Sequence, residues 1–231
     1  MKYESAVESS SNRAPASAED PLKSYDKSSL STAKRVLDLL IAIPALFFLS
    51  PVMLVVGLLI RLQDGGPVFF VQDRRGFGGA DFACMKFRTM RTDAQDVLGN
   101  LLATDPVMAA EWRAGQKLRQ DPRITKIGQF LRKTSLDELP QLLNIIRGEM
   151  SVVGPRPIVE EEVRRYGDRI ESYDSVRPGV TGLWQISGRN DTTYEERIAL
   201  DTEYAANVSV WGDIKILILS IPAILFSRGA Y

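Results

Sequence analysis

The chain of 231 residues carries 29 basic and 29 acidic side chains, so its net charge is zero and no overall field draws nucleic acid to it. It has no histidine and a single cysteine, Cys84, which excludes an internal disulfide framework, fits a reducing compartment and makes a zinc site untenable. Any acid, base, nucleophile or metal ligand must come from carboxylates, hydroxyls, lysine or that one thiol. Cys84, with no histidine to activate it, reads as a small apolar filler rather than a nucleophile.

Residues 1–32 are rich in Ser and Ala and lack apolar periodicity, so a disordered tail is expected there, without the features of a signal peptide. Residues 33–61 form the next unit. From Leu39 to Ile60 only Ser50 is polar, and 22 residues of helix would span about 33 Å, enough to cross a bilayer core. Against a simple span, Ser50-Pro51 interrupts the middle, Pro44 precedes it, and both flanks are basic. The residues leave two membrane readings open, a spanning helix and a re-entrant helix that dips into one leaflet and returns. A buried soluble core helix is a third.

Residues 62–231 hold the remaining elements. Pro67–Gln72 and Asp81–Phe87 predict a β-hairpin around the turn 74–79. A helix is expected over 93–118, a turn at Asp121-Pro122-Arg123, a short amphipathic segment over 124–131 and a short helix over 140–150. Ser151–Pro157 reads as a rigid loop containing Gly154, Pro155 and Pro157, followed by a charged helical stretch over 158–176, a turn over 177–182 and a helix over 194–204. Apolar residues about 213–227 are too few to span a bilayer and predict an interfacial helix. The fold class is therefore α+β, predominantly helical, with an apolar N-terminal membrane helix and a small hairpin.

The chemistry concentrates at Asp137-Glu138, two carboxylates among fixed positive charges. Residues 113–133 alone hold seven Lys/Arg against one acid, Asp121. A purely structural account exists: Ser135-x-x-Glu138 matches a capping box and Asp137 would be a first-turn acid. Pro140 weakens it, since it favours a helix that starts only about Leu139. The carboxylates would then lie beside free backbone N–H groups, a good place for phosphate. Adjacent helical side chains diverge by about 100°, so two such carboxylates take different jobs, one attacking phosphorus and the other holding a divalent cation. An exposed aspartate is ionised at neutral pH and ready to attack. Lys86, Arg88, Arg132 and Arg156 are the available phosphate-binding cations, with Arg156 stiffened between Pro155 and Pro157, which shape the loop.

Together these segments make the chain resemble the bacterial sugar transferase family, the monotopic polyprenyl-phosphate phosphoglycosyl transferases. The matching text is KRVLDLL at 34–40, SP at 50–51, KFRTM at 86–90, DPRITKIGQFLRKTSLDELPQLLNIIRGEMSVVGPRP at 121–157 and RPGVTGLWQISGR at 177–189. The resemblance implies transfer of hexose-1-phosphate, galactose or glucose, from a UDP-sugar to undecaprenyl phosphate with release of UMP, as in short forms that start exopolysaccharide or capsule repeats. It implies Asp137 as nucleophile in a covalent phosphosugar intermediate and Glu138 as Mg²⁺ ligand. It further implies Lys86 and Arg132 on phosphate near the lipid, Arg156 on the nucleotide-sugar phosphates, and a re-entrant helix broken at Ser50 and Pro51. The expected location is the cytoplasmic face of the bacterial inner membrane, in contact with its lipid; a homodimer is compatible and no nucleic-acid partner is expected. Two competing readings are a membrane-anchored non-catalytic scaffold and an Mg²⁺-dependent nucleotide-sugar hydrolase.

Overall fold

The computed structural model describes residues 32–115, 118–188 and 192–225, with side chains omitted at 114, 115 and 223–225. The expected tail, Arg189 at the end of the last motif and the far end of the C-terminal segment lie outside the described residues.

Helix α1, Thr32–Asp64, is built on two chemistries. Its root is polar and buried. Lys34 donates to Asp213, to the Val153 carbonyl and to Tyr204 Oη, while Arg35 caps the Ile145 and Ile146 carbonyls. Asp38 Oδ1 accepts from Ser151 Oγ at 2.8 Å and from the Val152 N–H at 2.9 Å. Beyond this root the helix is apolar and bare: Phe47, Phe48 and Leu54 are 73%, 75% and 74% exposed. Only 11% of its most apolar stretch is buried, which rules out the core helix of a soluble domain and points to membrane association.

Helical structure is continuous across Ser50 and Pro51, so the expected break is absent as an interruption of secondary structure. Pro51 has no N–H for the Phe47 carbonyl, and Ser50 Oγ donates to that carbonyl instead, at 2.8 Å.

Strands β1 (Phe69–Arg75) and β2 (Asp81–Phe87) form the antiparallel hairpin, with Phe70 opposite Lys86 and Gln72 opposite Cys84. The single helix expected over 93–118 is two, α2 (Ala94–Thr104) and α3 (Pro106–Gly115), because Pro106 favours an extended Asp105 and starts a new helix. Helix α4 (Lys126–Thr134) begins at Thr125, whose hydroxyl accepts from the Gly128 N–H at 2.9 Å. Helix α5 (Gln141–Arg147) starts one residue later and ends earlier than its expected 140–150, and stops at Gly148 in the left-handed conformation.

The loop expected over 151–157 begins as strand β3 (Ser151–Val153), paired in parallel with β4 (Gly179–Thr181), where only a turn is expected. Three glycines allow the approach. A Cβ on Gly154, Gly179 or Gly182 would come within 2.3, 2.1 or 2.2 Å of opposing backbone. The charged stretch over 158–176 divides into α6 (Glu160–Tyr166), one 3₁₀ turn and α7 (Ile170–Asp174), while α8 (Leu183–Ile186), α9 (Tyr194–Ala206) and α10 (Val210–Leu225) complete the order. Helix α10 packs Ile216 into the core and leaves Trp211 81% exposed beside exposed Ile218 and Ile221, the arrangement expected of an interfacial segment.

Candidate functional site

Asp137 and Glu138 lie on a single 3₁₀ turn, Leu136–Glu138, between α4 and α5. The capping box that the sequence offers is not formed. Ser135 adopts the left-handed conformation (φ 56°, ψ 17°) and closes α4, so its side chain makes no cap. Ser135 is the only non-glycine residue with positive φ among the described residues, and the turn that follows it brings Glu138 against Lys86 of the hairpin. Leu136 and Leu139, on either side of the carboxylates, pack into a cluster with Val56 and Ile60 of α1, Phe87 of β2 and Leu131 of α4. The apolar helix thus holds the carboxylate turn directly.

Lys86 projects from β2 onto Glu138, Nζ to Oε1 at 2.6 Å. Asp137 is not the exposed, fully ionised aspartate expected. Burial, reinforced by the Glu138 charge and opposed by Lys86 and Arg132, pushes its pKa up to about 6. Arg132, last turn of α4, donates from Nε to Thr89 Oγ1 at 2.9 Å. Burial lowers its pKa, against the pull of Asp137 and Asp121. Gly128 permits this placement, since a Cβ there would sit 1.9 Å from the Thr89 carbonyl oxygen.

A cavity opens beside the turn, with about 340 Å³ of empty space including its mouth. Lys86, Glu138, Arg156 and Pro157 line it, as do Arg74, Gln141 and Gln185. Arg156 stands over the Trp184 ring at 5.7 Å, and its carbonyl accepts from Tyr173 Oη at 3.2 Å. Arg74 donates to the Pro157 carbonyl at 3.1 Å, and its pKa is lowered by burial and by repulsion from Arg156. Arg74 and Arg156 thus bring two guanidinium groups to the wall of one half-enclosed space, an arrangement that favours an anion there.

Arg88 is not brought to this cavity. β2 ends at Phe87, and the Arg88 guanidinium turns to Asp64 at the end of α1, donating from Nη1 to Oδ2 at 2.8 Å. Cys84 lines the cavity wall within the core cluster of Ala42, Phe82, Ile145 and Met150, and burial raises its thiol pKa, so it stays protonated at neutral pH. Pro155 is buried behind the Arg156 loop, whose Pro155 carbonyl accepts from the Gly179 N–H at 2.8 Å.

Among the described residues no three carboxylate or thiol groups cluster as a dedicated metal cage. Glu138, whose Oε1 already takes the Lys86 ammonium, is the carboxylate that could hold Mg²⁺ together with substrate phosphates. That ion is commonly bound through one or two carboxylates plus substrate phosphates, and Glu138 faces the same cavity as Arg74 and Arg156.

Arg74, Gln141 and Gln185 are site-lining residues that sequence reasoning passes over. The one signal for Arg74 is its place beside the hairpin turn; Gln185 reaches the cavity only through the pairing of β3 with β4.

The model of the family described as "Bacterial sugar transferase" matches residues 29–227. The chain is 52% identical over 199 residues to "Exopolysaccharide production protein ExoY" of Sinorhizobium fredii, covering 86% of this chain and 88% of that one. It is 48% identical over 198 residues to "Undecaprenyl-phosphate galactose phosphotransferase" of Salmonella typhimurium, covering 86% of this chain and 41% of that longer protein. It is 39% identical over 208 residues to "UDP-glucose:undecaprenyl-phosphate glucose-1-phosphate transferase" of Caulobacter vibrioides, covering 86% and 72%.

Proposed function

Because the chain belongs to the bacterial sugar transferase family, we propose that it moves hexose-1-phosphate from a UDP-sugar to undecaprenyl phosphate, the first step of a lipid-linked exopolysaccharide or capsule repeat. Galactose and glucose are the favoured sugars, after the names of the relatives. The observation that carries this reading is the Lys86–Glu138 pair in the wall of a cavity that also holds Arg74 and Arg156, with Asp137 beside Glu138 on the same turn although not itself in that wall.

In the first step an Asp137 carboxylate oxygen attacks the phosphorus that bears the sugar. A P–O bond forms to the carboxylate, the bond to UMP breaks, and UMP leaves with the electron pair. In the second step an oxygen of undecaprenyl phosphate attacks the same phosphorus and expels the Asp137 carboxylate, leaving the sugar on a lipid diphosphate. The raised pKa makes Asp137 a stronger nucleophile than an exposed aspartate while leaving it mostly ionised at pH 7. Arg74, Arg156, Lys86 and Arg132 offset the negative charge that repels an incoming carboxylate. Mg²⁺ held by Glu138 and donor phosphate oxygens would supply further charge neutralisation. Helix α1 is read as the membrane anchor, re-entrant and bent about Ser50-Pro51, on the cytoplasmic face of the inner membrane.

The test is UMP release from a panel of UDP-sugars with Mg²⁺ in detergent, with and without undecaprenyl phosphate. Release that requires the lipid supports the transferase. Release without lipid would make the protein a hydrolase, and none from any donor would return it to a scaffold role.

A further inference from the structure

We propose that Gln185 reads the donor substrate, its side-chain carbonyl oxygen accepting a hydrogen bond from a neutral N–H or O–H of the nucleotide-sugar. This assignment rests on the transferase reading and adds a specificity-determining residue to it.

The amide is oriented by its surroundings. Gln185 Nε2 donates to the Val180 carbonyl at 3.4 Å, and the opposite orientation would set two carbonyl oxygens against each other. Oε1 is therefore turned away from Val180. It is buried and has no hydrogen-bond partner among the described residues. Buried polar atoms are nearly always paired, because an unpaired one forfeits its hydration with no return.

The residue also stands in the right company. A Cβ on Gly182 would meet the Gly154 carbonyl oxygen at 2.2 Å and Gln185 Oε1 at 3.1 Å. That close approach locks the start of α8 onto the loop that carries Arg156, and so fixes Gln185 in the wall of the cavity with Arg74, Lys86 and Glu138. The cations suit diphosphate. An amide oxygen does not, because phosphate oxygens at neutral pH offer it no hydrogen. Its complement must be a neutral donor at the end of the substrate beyond the phosphates. A UDP-sugar has such groups on both sides of its diphosphate, the uracil imide N–H and ribose hydroxyls of the nucleoside and the hydroxyls of the hexose.

The experiment compares the full-length protein with Gln185→Met, which keeps side-chain length and volume and removes the acceptor. Binding of UDP-galactose, UDP-glucose and UMP is measured by equilibrium dialysis, alongside lipid-dependent UMP release. The expected result is about tenfold weaker UDP-sugar binding, with kcat/KM for lipid-dependent UMP release lowered to match. Equal weakening of UMP assigns the contact to the nucleoside; unchanged UMP binding assigns it to a hexose hydroxyl. Should the methionine variant not fold, analogues on the unaltered protein give the same answer. Among N3-methyluridine, 2′- and 3′-deoxyuridine and deoxyhexose donors, the one that lacks the contacted group is expected to lose about tenfold. Wild-type affinity in Gln185→Met, or undiminished binding of every analogue, overturns the assignment and leaves the transferase intact. An unaltered protein that releases no UMP with any donor overturns the transferase reading and this assignment with it.

Discussion

Ser50 Oγ donates to the Phe47 carbonyl at 2.8 Å, and Phe47 is the residue whose carbonyl Pro51 would serve if it had an N–H. Within an apolar helix an unserved carbonyl is costly, so the serine makes the proline tolerable without removing its steric effect on the preceding turn. Pro51→Ala restores the backbone donor and removes the clash. The expected outcome is a straighter helix that carries an N-terminal tag across the membrane in a fraction of molecules, read by protease protection in vesicles. A tag that stays inaccessible from the far side in every molecule would assign the topology to the polar root of α1 instead.

Asp137→Asn is expected to abolish turnover, measured as UMP release, while the protein still inserts. The same variant should be more stable at neutral pH. A carboxyl whose folded pKa is raised from 3.8 to about 6 favours folding only while protonated; the native state therefore loses stability as pH rises through about 6. When ionised it costs on the order of 3 kcal/mol. Thermal midpoints of wild type and Asp137→Asn should coincide below about pH 4 and separate above about pH 6, with the variant higher.

The activity profile follows from the same group with the opposite consequence. kcat/KM should fall about tenfold per pH unit below the Asp137 pKa of about 6 and level off above it. A profile flat down to pH 4.5 would show that a carboxyl with an ordinary pKa attacks.

Gly128→Ala tests how Arg132 is placed. The added methyl would overlap the Thr89 carbonyl at 1.9 Å, forcing α4 off the 88–90 segment and breaking the Arg132–Thr89 bond. A stability loss of about 2 kcal/mol or more is expected by denaturant titration, together with weaker turnover.

Ser135→Gly should stabilise the carboxylate turn by up to about 1 kcal/mol, because glycine enters the left-handed region without penalty, whereas Ser135→Val should destabilise it by more than that. Denaturant midpoints of the two variants relative to wild type check both signs.

Local chemistry made the hairpin, the long apolar helix, the Asp137-Glu138 pair and Lys86 legible in the sequence. Alternating β-prone runs around a Gly-rich turn, an unbroken apolar run and adjacent carboxylates are all written within a few residues of each other. What escaped was set by distant partners. Ser135-x-x-Glu138 reads as a capping box until Ser135 is seen to close the preceding helix. Lys86 and Arg88 read as two cations for one phosphate site until the strand ends between them and Asp64 takes the second. Gln185 enters the site only because β3 and β4 pair and three glycines let their backbones touch, and Arg74 because the hairpin meets the loop at Pro157, whose carbonyl it serves.

Leu136 and Leu139 bracket the two carboxylates and rest on Val56 and Ile60 of α1. On the proposed mechanism, the height of the reacting oxygens above the lipid follows from how deeply that one helix sits, not from the mobility of a loop. Bilayer thickness and head-group packing become inputs to the chemistry itself, and a detergent that lets α1 ride up would misplace the nucleophile while leaving every polar contact around it intact.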